Sequence, residues 1–211
     1  MIETKMSFLA EDEVDLLIRA NENANKNEQN EEQKRHEYPE YQLQDEWTLW
    51  FGRWDAPKQV LCFDTINVFW ALFNNIKSPT MLPPKMDYHL FLNGIAPKCE
   101  DEQNKSGGSL SVECSLEEIN QFWLYSCLAL IGNNFTHGKI INGLMINVRP
   151  KFGRIQMWTT ATDRSKEEIS QLEKTAKEWK EFIQASKKQQ IKFTTHEQIF
   201  LHNDTKPKII F

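Results

Sequence analysis

The sequence predicts an α+β fold in which helices cover one face of a mainly antiparallel β-sheet. Short segments with the apolar pattern of strands alternate with turn residues along most of the chain. Three longer segments have the apolar spacing of amphipathic helices. The chain also lacks a GxGxxG or Walker-type phosphate loop, the hallmarks of parallel nucleotide-binding sheets.

Composition and charge separate two regions of the 211-residue chain. Apolar residues make up 40% and charged residues 26%, which is typical of a globular protein and excludes collagen-like and fully disordered classes. Residues 1–40 hold 11 of the 30 acidic side chains but only 5 of the 25 basic ones. We therefore predict an acidic, largely disordered arm over residues 1–40 and one folded domain over residues 41–211.

Targeting and metal-binding signals are missing from the sequence. The first residues do not combine a basic region with an apolar core, and the longest apolar run is about half the length of a membrane span. The four cysteines form no CxxC pair and have no histidine at ligand spacing. We expect a cytoplasmic protein with reduced thiols, no metal, no cofactor and no membrane partner.

The first elements of the domain follow from local pattern. Residues 46–52 alternate and are rich in aromatic side chains, which predicts a strand. Residues 53–60, which include a proline, are predicted to be a linker. Asp64 is a suitable N-cap for a helix over residues 64–77, and residues 88–95 are predicted to form another strand.

Two capping boxes mark the remaining helices. Ser115 and Glu118 precede an apolar helix that is predicted to end at Gly132. The same box recurs at Ser165 and opens a helix over residues 166–185.

A hairpin and a polar loop lie between these helices or before them. Residues 143–151 and 153–160 are predicted strands joined by a turn, and residues 97–109 form a polar loop that ends in two glycines.

Several side chains could together bind a flat, phosphorylated ligand. The Glu100 carboxylate could accept two N–H bonds from a guanine edge. Basic residues at the strand–turn–strand VRPKFGR could bind phosphates, and these are Arg149, Lys151 and Arg154. Trp54 and Trp158 could stack on a base. Taken singly, each signal is more typical of a solvated loop charge or a core tryptophan than of a ligand contact.

The order of several motifs carries a family resemblance. The segments are LQDEWTLWF (43–51), FDTINVFWALFNNI (63–76), DYHLFLNGIAPKCEDEQNKSGG (87–108), FWLYSCLALIG (122–132) and INVRPKFGRIQMWTT (146–160). Trp47, Trp50, Trp70, Trp123 and Trp158 fall at the tryptophan positions of this pattern. On these segments the chain resembles the eukaryotic translation initiation factor 4E family, the messenger-RNA cap-binding proteins.

The resemblance implies a fold and a function. The expected fold is a curved antiparallel sheet with three long helices on its convex side and a cap pocket on its concave side. The implied function is to bind the 7-methylguanosine cap of messenger RNA and recruit the message to a scaffold initiation factor. This is a binding activity and not catalysis.

The resemblance also implies roles for individual residues of the cap site. Glu100 matches the acid that binds the base edge. Arg149 and Arg154 match phosphate-binding cations, with Lys151 between them. Trp158 matches the tryptophan that contacts the methyl group.

Departures from the family pattern leave one alternative open. Cys99 stands where the family has a stacking tryptophan, and Ser109 replaces a basic residue. The segment between Trp50 and Phe63 is shorter than in animal members, so Trp54 is either the second stacking ring or a displaced surface or core residue. The alternative function is a divergent member that binds the cap weakly and acts as a translational repressor or adaptor.

A second set of residues matches the partner groove of the family. The expected partner is a scaffold factor of the 4G type or a 4E-binding protein, docked as a helix on the convex helical face. The matching residues are Ile66, Trp70, Leu124, Leu128 and Gly132, with Tyr125 where the family has a Glu. The helical spacing of Trp70 and Leu128 would also suit a core position.

Overall fold

A computed structural model describes residues 39–202 and 205–211 of the chain. The predicted arm, residues 1–40, lies outside the described residues except for its last two positions. In the described part of the chain, no helix is long and apolar enough to cross a membrane.

The described residues form one eight-stranded sheet and its helices. The strands are β1 (Gln42–Arg53), β2 (Ala56–Thr65), β3 (Asp87–Leu92), β4 (Gly108–Cys114), β5 (Ile141–Val148), β6 (Gly153–Thr159), β7 (Ile191–Thr195) and β8 (Ile209–Ile210). The helices are α1 (Ile66–Asn75), α2 (Ile119–Ile131), α3 (Lys166–Phe182) and the short α4 (His196–His202). Single 3₁₀ turns occur at Pro79–Met81 and Gly138–Ile140.

Every neighbouring strand pair in this sheet is antiparallel, in the order β2-β1-β3-β5-β6-β4-β7-β8. The structure confirms the predicted α+β class and the curved antiparallel sheet with helices.

Alternation along the strands gives the sheet two different faces. On β6, Ile155 and Met157 are completely buried in the main apolar core, whereas Gln156 and Trp158 point to the opposite face. The helices pack on the first face, where the buried indole Nε1 of Trp179 in α3 donates to Ser126 Oγ of α2 at 2.8 Å. We call the other face, to which Gln156 and Trp158 point, the concave face.

The predicted capping box at Ser115 forms in full, although α2 begins only at Ile119, and the one at Ser165 forms only through the serine side chain. The Ser115 hydroxyl accepts from the Glu118 backbone N–H at 3.3 Å, and the Glu118 carboxylate accepts from the Ser115 N–H at 3.1 Å. At α3, Ser165 Oγ accepts from the Glu168 N–H at 3.1 Å. Helix α2 ends at the predicted Gly132, while α3 ends three residues before the predicted limit.

The predicted linker over residues 53–60 is wrong. The chain instead makes a tight hairpin, with Arg53 paired to Ala56 and most of the segment belonging to β2. Pro57 is tolerated because β2 is an edge strand, where a missing N–H leaves no ladder bond broken. The hairpin is stabilised at its tip by two hydrogen bonds from the Arg53 guanidinium to the Asp55 carboxylate, at 3.0 and 3.1 Å.

The predicted N-cap of the first helix is displaced by one residue. Thr65, not Asp64, has extended backbone angles and accepts from the Val68 N–H through its hydroxyl at 3.3 Å. Strand β2 runs up to Thr65, so the helix begins only at Ile66.

Candidate functional site

A cleft of about 740 Å³ opens on the concave face. It lies where the tip of the β1–β2 hairpin, the loop after β3, the strands β5 and β6 and the short helix α4 meet. Five predicted site residues line it: Trp54, Cys99, Glu100, Arg149 and Trp158. These residues are separated by up to 104 positions in sequence, and the sheet brings them to one surface.

Trp158 forms part of the floor of the cleft. Its side chain is 6% exposed and packs edge-to-face on Phe91, with ring centroids 5.4 Å apart. The centroid of the His196 ring also lies 4.4 Å from the centroid of the Trp158 ring. The indole is therefore fixed by its neighbours and offers the cleft only a small part of its surface.

Trp54, unlike the buried Trp158, lies exposed at the tip of the β1–β2 hairpin. It is 57% exposed, so it is not a core residue. Since it also lines the cleft, its ring is available to a ligand from the wall formed by the hairpin. The paired side chains of Arg53 and Asp55 flank it and order the turn.

A hydrogen-bonded loop presents Cys99 and Glu100 to the cleft. The Asp101 carboxylate accepts from the Ala96 and Gln103 N–H groups at 3.0 and 2.9 Å. The buried amide of Asn104 donates to the carbonyls of Ala96 and Lys98 at 2.8 and 2.9 Å. These bonds close the loop, and a closed loop holds its side chains in place.

Within this loop, Cys99 and Glu100 differ in environment. Cys99 is buried and packs with Phe91 and Trp158 in a small apolar cluster. Burial, aided by the charge of Glu100, raises the pKa of the Cys99 thiol, which therefore stays neutral. Glu100 is exposed at the edge of the cleft, where its carboxylate can meet a ligand.

Arg149 supplies positive charge to the cleft. Its side chain is 41% exposed, its Nη1 donates to the Val148 carbonyl at 3.0 Å, and the same nitrogen lies 3.6 Å from Asp87 Oδ1. Burial raises the pKa of the Asp87 carboxyl, while Asn147 and Arg149 act in the opposite direction. The guanidinium is thus held between a carbonyl and a buried carboxyl group, while the Arg149 side chain lines the cleft.

The other two predicted phosphate ligands do not line the cleft. Lys151 is exposed in the turn between β5 and β6. The Arg154 guanidinium binds the Glu113 carboxylate of the neighbouring strand β4, with Nη2 at 2.6 Å and Nε at 3.2 Å. The expected convergence of all three basic residues is therefore not observed, because the turn and this ion pair direct two of them elsewhere.

Several lining residues were missed by the sequence reasoning. Met145, Asn147 and Gln156 line the cleft from β5 and β6. Strand alternation counted back from Trp158 would have placed Gln156 on its face, and cross-strand pairing would then have given Met145. Pairing could not be known before the sheet order was known.

His196 was also missed, and no local pattern marks it. Its ring is 2% exposed, and Nδ1 lies 2.8 Å from the Asn104 carbonyl oxygen. Since a carbonyl only accepts, Nδ1 carries the proton and the buried Nε2 is left as an acceptor. Burial lowers the pKa of His196, which favours this neutral form.

The predicted partner residues lie on α1 and on α2, with Gly132 at the C-terminal end of α2. Trp70 is 37% exposed and is therefore a surface residue, whereas Leu124, Tyr125 and Leu128 are half-buried against the core. Leu124 and Tyr125 line a groove of about 400 Å³. The remaining two predicted residues are Ile66, half-buried at the start of α1, and Gly132, exposed at the end of α2.

No group of three or more His, Cys, Asp or Glu side chains in the described ranges could hold a metal ion.

Comparison with known proteins gives matches over the whole described domain. The model of the family described as "Eukaryotic initiation factor 4E" matches residues 42–209. The chain is 37% identical over 166 residues to eukaryotic translation initiation factor 4E-2 of Schizosaccharomyces pombe, covering 74% of this chain and 67% of that protein. It is 36% identical over 153 residues to human eukaryotic translation initiation factor 4E, covering 67% and 70% of the two chains.

Solved structures give similar matches. The complex of Caenorhabditis elegans eIF4E-3 with the 4E-binding protein Mextli and a cap analog has a TM-score of 0.72 at 29% identity. The match covers 82% of this chain and 100% of that one. Ascaris suum eIF4E-3 with an m2,2,7G cap has a TM-score of 0.73 at 29% identity and covers 82% and 99%.

Proposed function

The chain belongs to the eukaryotic initiation factor 4E family, and we propose that it binds the 7-methylguanosine cap of messenger RNA and recruits the message to a scaffold initiation factor. One observation carries the proposal: an exposed tryptophan, a fixed tryptophan, a free carboxylate and a guanidinium line the same cleft. The structures of two relatives were solved with cap ligands, which supports the same ligand class here.

The base is proposed to stack on Trp54. Methylation at N7 gives guanine a positive charge, so stacking on an indole face gains a cation–π contribution of about 0.5–2 kcal/mol. Plain guanine is neutral and lacks this contribution. Trp54 fits the role because its ring is exposed at the cleft wall and held by an ordered turn.

The opposite face of the base is proposed to contact the neutral thiol of Cys99. A sulfur atom is polarizable and packs well on a flat ring, but it has no π face. Replacing one of two stacking rings costs about 1–3 kcal/mol by analogy with base–aromatic stacking. We therefore expect the chain to bind the cap more weakly than a relative with two stacking tryptophans, while keeping its selectivity for the methylated base.

Glu100 is proposed to read the edge of the base. An ionised carboxylate accepts two parallel N–H bonds, which matches the N1 and N2 edge of guanine and not the edge of adenine. Trp158 is proposed to contact the N7 methyl group from the floor of the cleft. Its fixed position, packed by Phe91 and His196, suits a contact that depends on shape.

Arg149 is proposed to bind the triphosphate bridge. Its guanidinium lines the cleft and is already oriented by Val148 and Asp87, so little further ordering is needed on binding. Lys151 and Arg154 remain proposed phosphate contacts, and both would have to move their side chains to reach the ligand.

The convex side is proposed to bind a helix of a 4G-like scaffold or of a 4E-binding protein. Trp70 is exposed and packs on Phe73, whose side chain lines the groove, and an exposed tryptophan near an apolar groove is a typical hot spot for helix-in-groove binding. A relative was solved with the 4E-binding protein Mextli. We propose that the chain joins cap and partner as a binding factor, without catalysis, in the cytoplasm.

The direct test is a titration of intrinsic tryptophan fluorescence with 7-methyl-GTP and with GTP. We expect saturable quenching by 7-methyl-GTP and at least tenfold weaker binding of GTP, since the cation–π contribution is lost. Equal affinities for the two nucleotides would exclude cap recognition and favour a role limited to protein partners.

A further inference from the structure

Glu113 occupies an unusual position on the concave face. It lies on β4, directly opposite Arg154 on β6 in the antiparallel register. Its Oε1 accepts both guanidinium bonds of Arg154, and its Oε2 lies 4.0 Å from Lys192 Nζ on the next strand β7. The Glu113 carboxylate thus interacts with two cationic side chains, Arg154 and Lys192, that could otherwise bind other anions.

Arg154 lies next to the cleft although it does not line it. Its cross-strand partner on β5 is Asn147, and the next residue on its own face of β6 is Gln156. Both of these neighbours line the cleft. Because adjacent strands are only about 4.8 Å apart, a guanidinium on its long side chain could reach across to the cleft.

The direction of the side chain is set by Glu113. Strand β4 lies on one side of β6 and β5, which carries Asn147, lies on the other. The guanidinium bonds toward β4, away from the cleft, while Phe152 lies 5.8 Å from it on the turn. Removing the carboxylate would leave no described ion-pair partner that directs the Arg154 guanidinium toward β4.

We propose that Glu113 sets how strongly this chain holds the phosphates of its ligand, by competing with them for Arg154. The inference rests on the proposed cap binding and adds a residue that weakens it. Both members of the pair are 41% exposed, so the contact is solvated and of modest strength, and a phosphate chain carrying several charges can replace it.

The test is Glu113→Gln, measured with two ligands that share the base: 7-methyl-GTP and the nucleoside 7-methylguanosine. We expect the variant to bind 7-methyl-GTP about threefold to tenfold more tightly at low salt, and the nucleoside as the wild type does. The gain should shrink at high salt, because exposed charges are screened.

A matched control separates this effect from a change in net charge. Glu173 forms an equally short exposed pair with Lys177, at 2.6 Å, on helix α3 at the other face of the sheet. Glu173→Gln changes the net charge by the same amount and should leave both affinities unchanged. An equal gain in this control would overturn the proposal.

A second variant tests whether Arg154 carries the effect. Arg154→Gln alone should weaken 7-methyl-GTP binding by about twofold to threefold, less than the gain of Glu113→Gln, since Glu113 already neutralises part of the charge of the wild-type cation. The gain of Glu113→Gln should vanish in the double variant. A tenfold loss in Arg154→Gln alone, or a gain that persists without Arg154, would contradict competition.

The two proposals fail differently. If the wild type binds neither 7-methyl-GTP nor 7-methylguanosine, cap binding itself is wrong. If the nucleoside binds and Glu113→Gln leaves 7-methyl-GTP affinity unchanged, only the inference about Glu113 is wrong.

Discussion

The Asp87 carboxyl is completely buried, and its Oδ1 lies 3.6 Å from the Arg149 Nη1 at the edge of the cleft. Burial raises the pKa of Asp87, so its charge is costly and is tolerated because the guanidinium is near. Arg149 is itself partly exposed and can be hydrated. The two residues therefore need each other for different reasons. Arg149 stabilises the negative charge of the buried Asp87 carboxyl, and Asp87 orients the Arg149 guanidinium.

Asp87→Asn should weaken phosphate binding without harming the fold. The amide removes the costly buried charge and leaves Arg149 in contact with water, so the free energy of unfolding at neutral pH should not fall. We expect about tenfold weaker binding of 7-methyl-GTP, by analogy with the loss of a group that orients a metal ligand.

The measurement is the ratio of 7-methyl-GTP to 7-methylguanosine affinity, with Asp163→Asn as control. Asp163 pairs with Lys208 at 3.1 Å and does not line the cleft. If Asp87→Asn lowered the affinities for both ligands equally, the buried carboxyl would affect the shape of the whole cleft and not specifically the position of Arg149.

His89→Leu should remove an acid-sensitive component of stability. Burial lowers the pKa of His89 to about 3, and neither ring nitrogen has a hydrogen-bond partner among the described residues. In the unfolded chain His89 binds a proton near pH 6.5, whereas in the folded chain it stays neutral until the pH nears 3. The contribution of His89 to the free energy of unfolding is therefore lost as the pH falls from 6.5 toward 3.

Denaturant titration at pH 7 and pH 5 measures this effect. The wild type should lose on the order of 1–2 kcal/mol more than His89→Leu over this interval. His137→Gln, at a partly exposed histidine, provides the control. If the free energy of unfolding fell equally between pH 7 and pH 5 in the wild type and in His89→Leu, His89 would not be the source of the loss of stability in acid.

Glu100→Gln should abolish retention on a resin carrying 7-methyl-GTP. A glutamine amide can accept only one of the two N–H bonds of the guanine edge and places its own donor against the other. Since Glu100 is exposed, circular dichroism and the melting temperature should be unchanged.

Glu102→Gln is the matched control for this loop. Glu102 is highly exposed and pairs with Lys105, and its side chain does not line the cleft. This variant should be retained like the wild type. Retention of Glu100→Gln would show that the base edge lies elsewhere in the cleft.

Trp54→Ala and Trp70→Ala should affect different ligands. Trp54→Ala should weaken 7-methyl-GTP binding by about 1–3 kcal/mol and leave a scaffold-derived helical peptide bound. Trp70→Ala should weaken the peptide by about 2 kcal/mol or more and leave the cap ligand bound.

Each tryptophan variant serves as the control for the other, and isothermal titration with both ligands is the measurement. Both indoles are exposed, at 57% and 37%, so neither variant should unfold. If either variant lost binding of both ligands, the proposal that the cap ligand and the peptide bind at two independent surfaces would be contradicted.

The helices were the most predictable part of the fold. Ser165 caps α3, and Ser115 bonds to Glu118 just before α2 begins, in each case with a residue only three positions away, so the determining contacts are local in sequence. The error at Asp64 was small for the same reason, since Thr65 can cap equally well and only the length of β2 decided between them. The hairpin at residues 53–60 was missed because Pro57 is acceptable in a strand only at an edge.

The sequence by itself determined the fold class, the family pattern and the residue types of the proposed cap site, because apolar period, capping boxes and motif order are properties of the chain. Only the tertiary structure decided which of those residues share one cleft. It placed Trp54 and Arg149 there, added His196 from 38 residues beyond Trp158, and turned Arg154 toward Glu113. The physical reason is that strand order and register bring distant side chains together, and competing ion pairs then choose the direction of each charged group.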